Sequence, residues 1–368
     1  MNNVLGVINL INEPQFLKDL TRHRCYASVP FGGRYRLIDF TLSNFVRNGI
    51  TKVGIFSKEK YRSLMDHVGS GREWDLDRHN GGLYILPPDE SGEPIEGDLD
   101  SFHSHLEFFK RSQEQTVVLS PGHHVCKIDL DDVYKFHQQH EADITVVYKR
   151  YDGENVRKPV YHKCLVDDDD SIADINLFAF PAQGDAICLE TYFINKDVLI
   201  DLVERCVENE ENDFLKDVVK ANLPRLKVKA YRFDGYLPFI HSIDTFYAGN
   251  LSFLEPEIHH KFYFGTGDIY TKVKHEAPAK YGKHADVSRS LIANGCEISG
   301  HVENSILFRG VKVKEGAVVK NSIIMQKGMI EEGVHLENVI ADKQVTITSG
   351  KMIAGSARPR IIRKSTKL

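Results

Sequence analysis

The residues best suited to chemistry lie near the start of the chain. Gly32 and Gly33 are followed by Arg34 and Arg36 and preceded by Arg22, His23 and Arg24. Guanidinium groups carry fixed positive charge, so these residues form a basic set worth following. The same basic residues also read as a solvated or inter-subunit salt-bridged face. Histidine recurs in close pairs, His103 with His105, His123 with His124 and His259 with His260. Neither spacing gives a tetrahedral set, and no Cys or acid completes one, so no metal site is expected. Asp167–Asp170 reads as a solvated hairpin tip, and Trp74 as a packing anchor.

The elements that must position these residues follow from hydrophobic period. Val4–Leu10, Val53–Ser57, Thr116–Ser120 and Ile144–Tyr148 are apolar runs of strand length. Helices are predicted over Ser57–His67, Asp98–Arg111 and Asp129–His140, the last capped by Asp129 with Asp131 and Asp132 in its first turn. Strand–helix alternation predicts an α/β domain over residues 1–250, with a mostly parallel sheet covered on both faces. Residues 251–284, with Glu255-Pro256-Glu257, Gly265, Gly267 and Pro278, read as a linker. From 285 to 368 a period of six takes over. Gly310, Gly316, Ser322 and Gly328 share one slot, Val311, Ala317, Ile323 and Met329 the next, and Val318, Ile324, Ile330 and Leu336 the third. That period fits a hexapeptide β-helix, a stacking and assembly element, rather than a helix or a half-buried strand.

Composition narrows the function. A chain of 368 residues with 42% hydrophobic and 27% charged residues is long enough for one to three ordinary globular domains. Its formal charge of −5 provides no net basic field for nucleic acid. No apolar run approaches the roughly 18 residues of a membrane helix, and Met1-Asn2-Asn3 gives no basic start to a signal peptide, so a cytoplasmic location is expected. The six cysteines form no C-x-x-C pair and read as reduced thiols.

The string Pro30-Phe31-Gly32-Gly33-Arg34-Tyr35-Arg36-Leu37-Ile38-Asp39-Phe40-Thr41-Leu42-Ser43-Asn44 resembles the segment just after the nucleotide-binding loop of glucose-1-phosphate adenylyltransferases. Val68–Gly71 with Trp74–Arg78 and Gly81–Pro88 resemble a second block of that family, and Asn212–Asp217 a third. Ser290–Cys296 and Val302–Gly310 resemble its coil. The resemblance implies a Rossmann-like nucleotidyltransferase domain followed by a left-handed parallel β-helix. It also implies a reaction in which ATP and glucose 1-phosphate give ADP-glucose and pyrophosphate.

That reaction needs glycine-rich backbone around the triphosphate, a cation for the leaving pyrophosphate and paired carboxylates for Mg²⁺. By resemblance the glycine loop falls on Ile11–Phe16, where Asn12 and Pro14 replace glycines and Phe16 replaces an arginine. Proline cannot donate a backbone hydrogen bond. Tyr26 stands where a basic residue is expected, and His123 and Phe239 stand where the metal-binding acids belong. Phe178-Ala179-Phe180-Pro181 replaces the Glu-Lys-Pro that holds sugar phosphate. The resemblance therefore points to a non-catalytic regulatory or structural subunit that activates a catalytic homologue in a hetero-oligomer. Mg²⁺ would belong to that partner, and this chain would bind no cofactor. Arg22, His23, Arg24 and Arg36 are the expected site of a sugar-phosphate effector, joined by the basic tail if that tail completes the pocket. Asp213, Lys216 and Asp217 are the expected residual sugar-phosphate subsite. Three alternatives stay open: an active adenylyltransferase with an altered loop, a sugar-phosphate sensor without an enzyme partner, and a β-helix acyltransferase. For the last, no catalytic His is placed convincingly in the coils.

Overall fold

The computed structural model describes residues 1, 3–88, 95–153, 160–179, 181–264 and 267–368, without the side chains of 160, 178 and 179. Phe180 and Gly265 of the sequence reading lie outside the described residues. The chain packs as two units, Met1–Glu13 with Phe40–Leu237, and Pro14–Asp39 with Pro238–Leu368. The Gly32–Gly33 segment therefore packs with the C-terminal part of the chain. No helix among the described residues is long and apolar enough to cross a membrane, and all six cysteines are buried, none of them in a disulfide.

The first unit is built on a nine-stranded sheet. Its main path runs Val228–Arg232, Ile144–Arg150, Ala186–Asn195, Thr116–Pro121, Val4–Leu10, Lys52–Ser57 and Gly82–Leu86. Neighbours are parallel except around Ala186–Asn195, which runs antiparallel to both of its neighbours on this path. Val4, Leu5, Val7, Ile8 and Leu10 are all buried, as expected of a parallel strand covered on both faces. The hairpin Val160–Val166 and Ile172–Ala179 branches off Ala186–Asn195, with Asp167–Asp170 at its tip as the charge run predicts.

Two predicted helices are shorter than their sequence patterns. Ser57 pairs with Leu10 in the sheet, so the following helix begins only at Arg62. The run from Asp98 breaks at His105 into Asp98–Ser104 and Leu106–Lys110, where the His105 Nε2–H donates to the Pro87 carbonyl at 2.7 Å. Helix Leu130–Gln139 is capped as predicted, with the Asp129 carboxylate accepting from the Asp131 and Asp132 N–H groups.

The second unit contains a left-handed parallel β-helix made of three five-stranded sheets. Its interior is three aliphatic columns: Val302–Val319–Leu336–Ile353, Ile298–Val313–Ile330–Ile347 and Leu307–Ile324–Ala341–Ile362. Successive members of the first column stand seventeen residues apart, one fewer than three hexapeptides. The missing residue is lost at one corner. There Asn304, Asn321 and Asn338 take left-handed backbone angles (φ 46°, 45° and 53°), which Asn tolerates better than most side chains. Asn304 Nδ2 donates to Asn321 Oδ1 at 2.7 Å, and buried Ser305 and Ser322 brace the corner from inside. The shortened side is why Val318 is only half-buried while Val319 points inward.

Candidate functional site

Within the first unit, a cavity of about 150 Å³ opens where the parallel strands end, the place where open α/β sheets hold ligands. Four carboxylates line it: Glu13, Asp98, Glu190 and Asp213. Two imidazoles, His123 and His162, join them, with Leu119, Tyr192 and Phe214 supplying apolar wall. Among the described residues no Lys or Arg side chain lines it.

Each acid is held by its element. Asp98 opens helix Asp98–Ser104, and its buried carboxylate accepts from Asn9 Nδ2 and the Phe214 N–H, each at 2.8 Å. Burial raises its pKa to about 7 against the pull of the Phe214 N–H, while Asp213 and Glu190 push it further up. Asp213 caps the turn Phe214–Val219 by accepting from the Lys216 N–H at 2.7 Å. Glu190 meets His162 Nδ1 at 3.3 Å. Burial would lower the His162 pKa, but the hydrogen bond and charge of Glu190 outweigh it and raise it. His123 is driven down to about 4 by burial, with Glu190 opposing, so it is neutral near pH 7.

The expected sugar-phosphate residues are thus only partly brought together. Asp213 faces the cavity. Asp217 is spent accepting the N–H groups of Asn212 and Asp213, and Lys216 is exposed and pairs with it at 3.2 Å.

Of the expected catalytic positions, His123 lines this cavity, and the other three lie in the second unit. Phe16 is 41% exposed and sits edge-on to His241. Tyr26 is buried, and its hydroxyl donates to the Ile240 carbonyl at 2.9 Å, an anchoring contact. Phe239 is half-buried. The imidazole of His123 and the ring of Phe239 offer no hard oxygen, so these residues do not fit the Mg²⁺ that the resemblance implies. Among the described residues, no group of three or more His, Cys, Asp or Glu is placed to hold a metal ion.

The second unit also gathers charge around Arg24. Arg24 is almost fully buried and donates through Nη2 to both oxygens of Asp342, at 2.9 and 2.8 Å. Beside it the Lys343 ammonium is pushed down to about 6, first by burial and then by Arg36 and Arg24, with Asp342 opposing and Lys274 adding to the repulsion. Arg36 is half-buried, and Arg22 and His23 are exposed. Sequence reading missed Asp342, Lys343 and Lys274. They sit in or just before the coils, hundreds of residues from Arg24, and nothing in their local pattern marks them. Of the basic tail, Arg358 pairs with Asp244 and Arg363 with Asp19, both exposed.

Fold and cavity together define a nucleotidyltransferase-type α/β unit carried on a chain with a hexapeptide coil. Residues 15–237 match the nucleotidyl transferase family, and residues 272–358 match the GlmU-like, C-terminal hexapeptide family. The chain belongs to the nucleotidyl transferase family and, within it, to the group of glucose-1-phosphate adenylyltransferases and the glycogen biosynthesis protein GlgD. It is 38% identical to the glycogen biosynthesis protein GlgD of Bacillus subtilis (strain 168), over 99% of this chain and 96% of that protein. It is 38% identical to the protein of the same name from Geobacillus stearothermophilus, over 86% of this chain and 83% of that one. To the glucose-1-phosphate adenylyltransferase of Clostridium perfringens (strain 13 / Type A) it is 33% identical, over 83% of this chain and 79% of the enzyme.

Proposed function

We propose that this chain is a regulatory or structural subunit of a glucose-1-phosphate adenylyltransferase in glycogen biosynthesis, largely inactive by itself and activating a catalytic homologue. One observation carries the reading: the cavity at the strand ends is lined by four carboxylates and two imidazoles, without Lys or Arg among the described residues. Transfer of a nucleotidyl group develops negative charge that a cationic or donor-rich site must stabilise. Losing even one such stabiliser costs about a hundredfold to a thousandfold in rate. Acids in a cavity that no described Lys or Arg lines work in the wrong direction. The chain itself carries no cofactor in this reading, and Mg²⁺ acts in the partner.

Activation requires the subunit to bind the partner's competent conformation more tightly than its other states. The β-helix, an element that buries its surface by stacking, is the proposed contact region. Regulation is assigned to the second unit, where Arg36, Arg24 and Lys274 repel the Lys343 ammonium and Asp342 opposes them. A phosphorylated sugar would relieve that repulsion. Arg24 serves there mainly through its bond to Asp342, and exposed Arg22 contributes through charge, with His23 beside it.

Two assays test the reading. ADP-glucose formation is measured for the purified chain alone, for a catalytic homologue alone and for their mixture, and the mixture is sized by gel filtration. The reading expects negligible turnover alone, a raised rate in the mixture and co-elution. Robust turnover by this chain alone would return the altered-loop enzyme, and failure to co-elute would return the sensor.

A further inference from the structure

One side chain in the acidic cavity is put there by a local distortion of the sheet. Strand Ala186–Asn195 pairs regularly with Ile144–Arg150 up to Cys188 and again from Thr191, with a shift of register between them. Within that bulge Glu190 takes φ +48°, a left-handed backbone that residues with side chains rarely adopt, Asn, Asp and His excepted. Bulges re-aim side chains, and backbone strain of this kind clusters at sites with a task. Here the distorted residue lines the cavity. Its carboxylate is held by His162 Nδ1 at 3.3 Å, and nearly half of the side chain stays open to solvent.

We infer that Glu190 is an exclusion residue: held by His162, its carboxylate keeps phosphorylated ligands out of the cavity. A phosphate entering this space meets Glu190 together with Glu13 and Asp213, and repulsion between like charges at a few ångströms is strong in a partly desolvated site. The cavity thus goes beyond lacking the groups that bind a sugar phosphate and carries one that rejects it. This rests on the proposal that the chain is not itself catalytic.

The test titrates glucose 1-phosphate, and separately inorganic phosphate, into the full chain, its Glu190→Gly form and its Glu190→Gln form. The imidazole NMR signals of His123 and His162 report occupancy of this cavity and not of the basic cluster in the second unit. Glycine removes the charge and suits the left-handed backbone, and glutamine removes the charge while keeping the bulk. Thermal melting verifies that each variant is folded. The inference expects both variants to bind glucose 1-phosphate about tenfold or more tightly than the parent chain, the gain from deleting one like charge. A gain in the glycine form alone would assign the exclusion to bulk and overturn the role of charge. Parent binding as tight as that of both variants, or no binding by any form, would overturn the inference altogether. The two ideas fail separately. Turnover of ATP and glucose 1-phosphate by the parent chain defeats the non-catalytic reading, whereas absence of gain in an inactive parent defeats only the role of Glu190.

Discussion

Replacing Arg24 with Met should destabilise the second unit severely. Arg24 and Asp342 each keep only 3% of their side-chain surface, and two hydrogen bonds of 2.9 and 2.8 Å join them. Removing the arginine strands a carboxylate in low dielectric, where breaking a buried pair costs about 3–5 kcal/mol. Asp342 keeps one other bond, from the Lys343 N–H at 2.7 Å, which does not replace a guanidinium. Arg24→Met with Asp342→Leu removes both charges and should recover most of the loss, because apolar replacement of a buried pair is often near neutral. The assay is native-state hydrogen exchange in increasing urea, followed on peptides spanning residues 14–39 and 311–347, which report opening of this unit. A cost below about 1 kcal/mol for Arg24→Met, or a double variant as damaged as the sum of the singles, would refute the reasoning. The same experiment bears on regulation. If Arg24 is an internal strut, loss of effector response in its variants reports misfolding, and Arg36→Ala is the cleaner probe.

Further outcomes follow from other groups. Gly33→Ala should destabilise the second unit by about 2–3 kcal/mol in the same urea experiment, because a Cβ at φ +79° would collide with Leu291 Cδ2. Binding of an anionic sugar phosphate at the Arg36–Lys274–Lys343 cluster should take up a proton near pH 8. Lys343 is depressed from 10.5 to about 6 by burial, Arg36 and Arg24, and an anion favours its charged form. Calorimetry in buffers of different ionisation enthalpy should show that uptake, and Lys343→Met should abolish it. Without ligand, the sign runs the other way for folding. A lysine whose folded pKa is depressed binds fewer protons folded than unfolded, so this group makes stability rise as pH climbs from about 6 towards 10.5.

Much of this was legible in the sequence, for physical reasons. The apolar run Val4–Leu10 is buried at nearly every position, and that continuity announces a parallel strand covered on both faces. The six-residue rhythm from Gly310 announces the coil, because each side of the coil must point one aliphatic inward. The shortened corner was hidden, since a left-handed Asn at 321 looks like any turn residue until its stack with Asn304 is seen. Asp129 gave away its helix start because capping is local. The break at His105 did not, because it follows from a contact with distant Pro87. In the cavity, His123 could be placed by its neighbours in sequence. Asp98, Glu190 and His162 could not, since each belongs to a different element and only the sheet brings them together. The Gly32–Gly33 pair is instructive in the other direction. It sits in a string that resembles a nucleotide-binding family, yet Gly33 is held by its own backbone: φ +79° suits glycine, and Leu291 packs beside it.

The central claim is that this cleft has the wrong charge for nucleotidyl transfer and that the chain acts through a working relative. The most direct measurement is the rate of ADP-glucose formation by the purified chain with ATP, glucose 1-phosphate and Mg²⁺, set beside the rate after mixing with a catalytic homologue. The account predicts a rate at background alone and a mixture faster than the homologue by itself. A chain that turns over at the homologue's rate when alone, or a mixture no faster than the homologue, contradicts it.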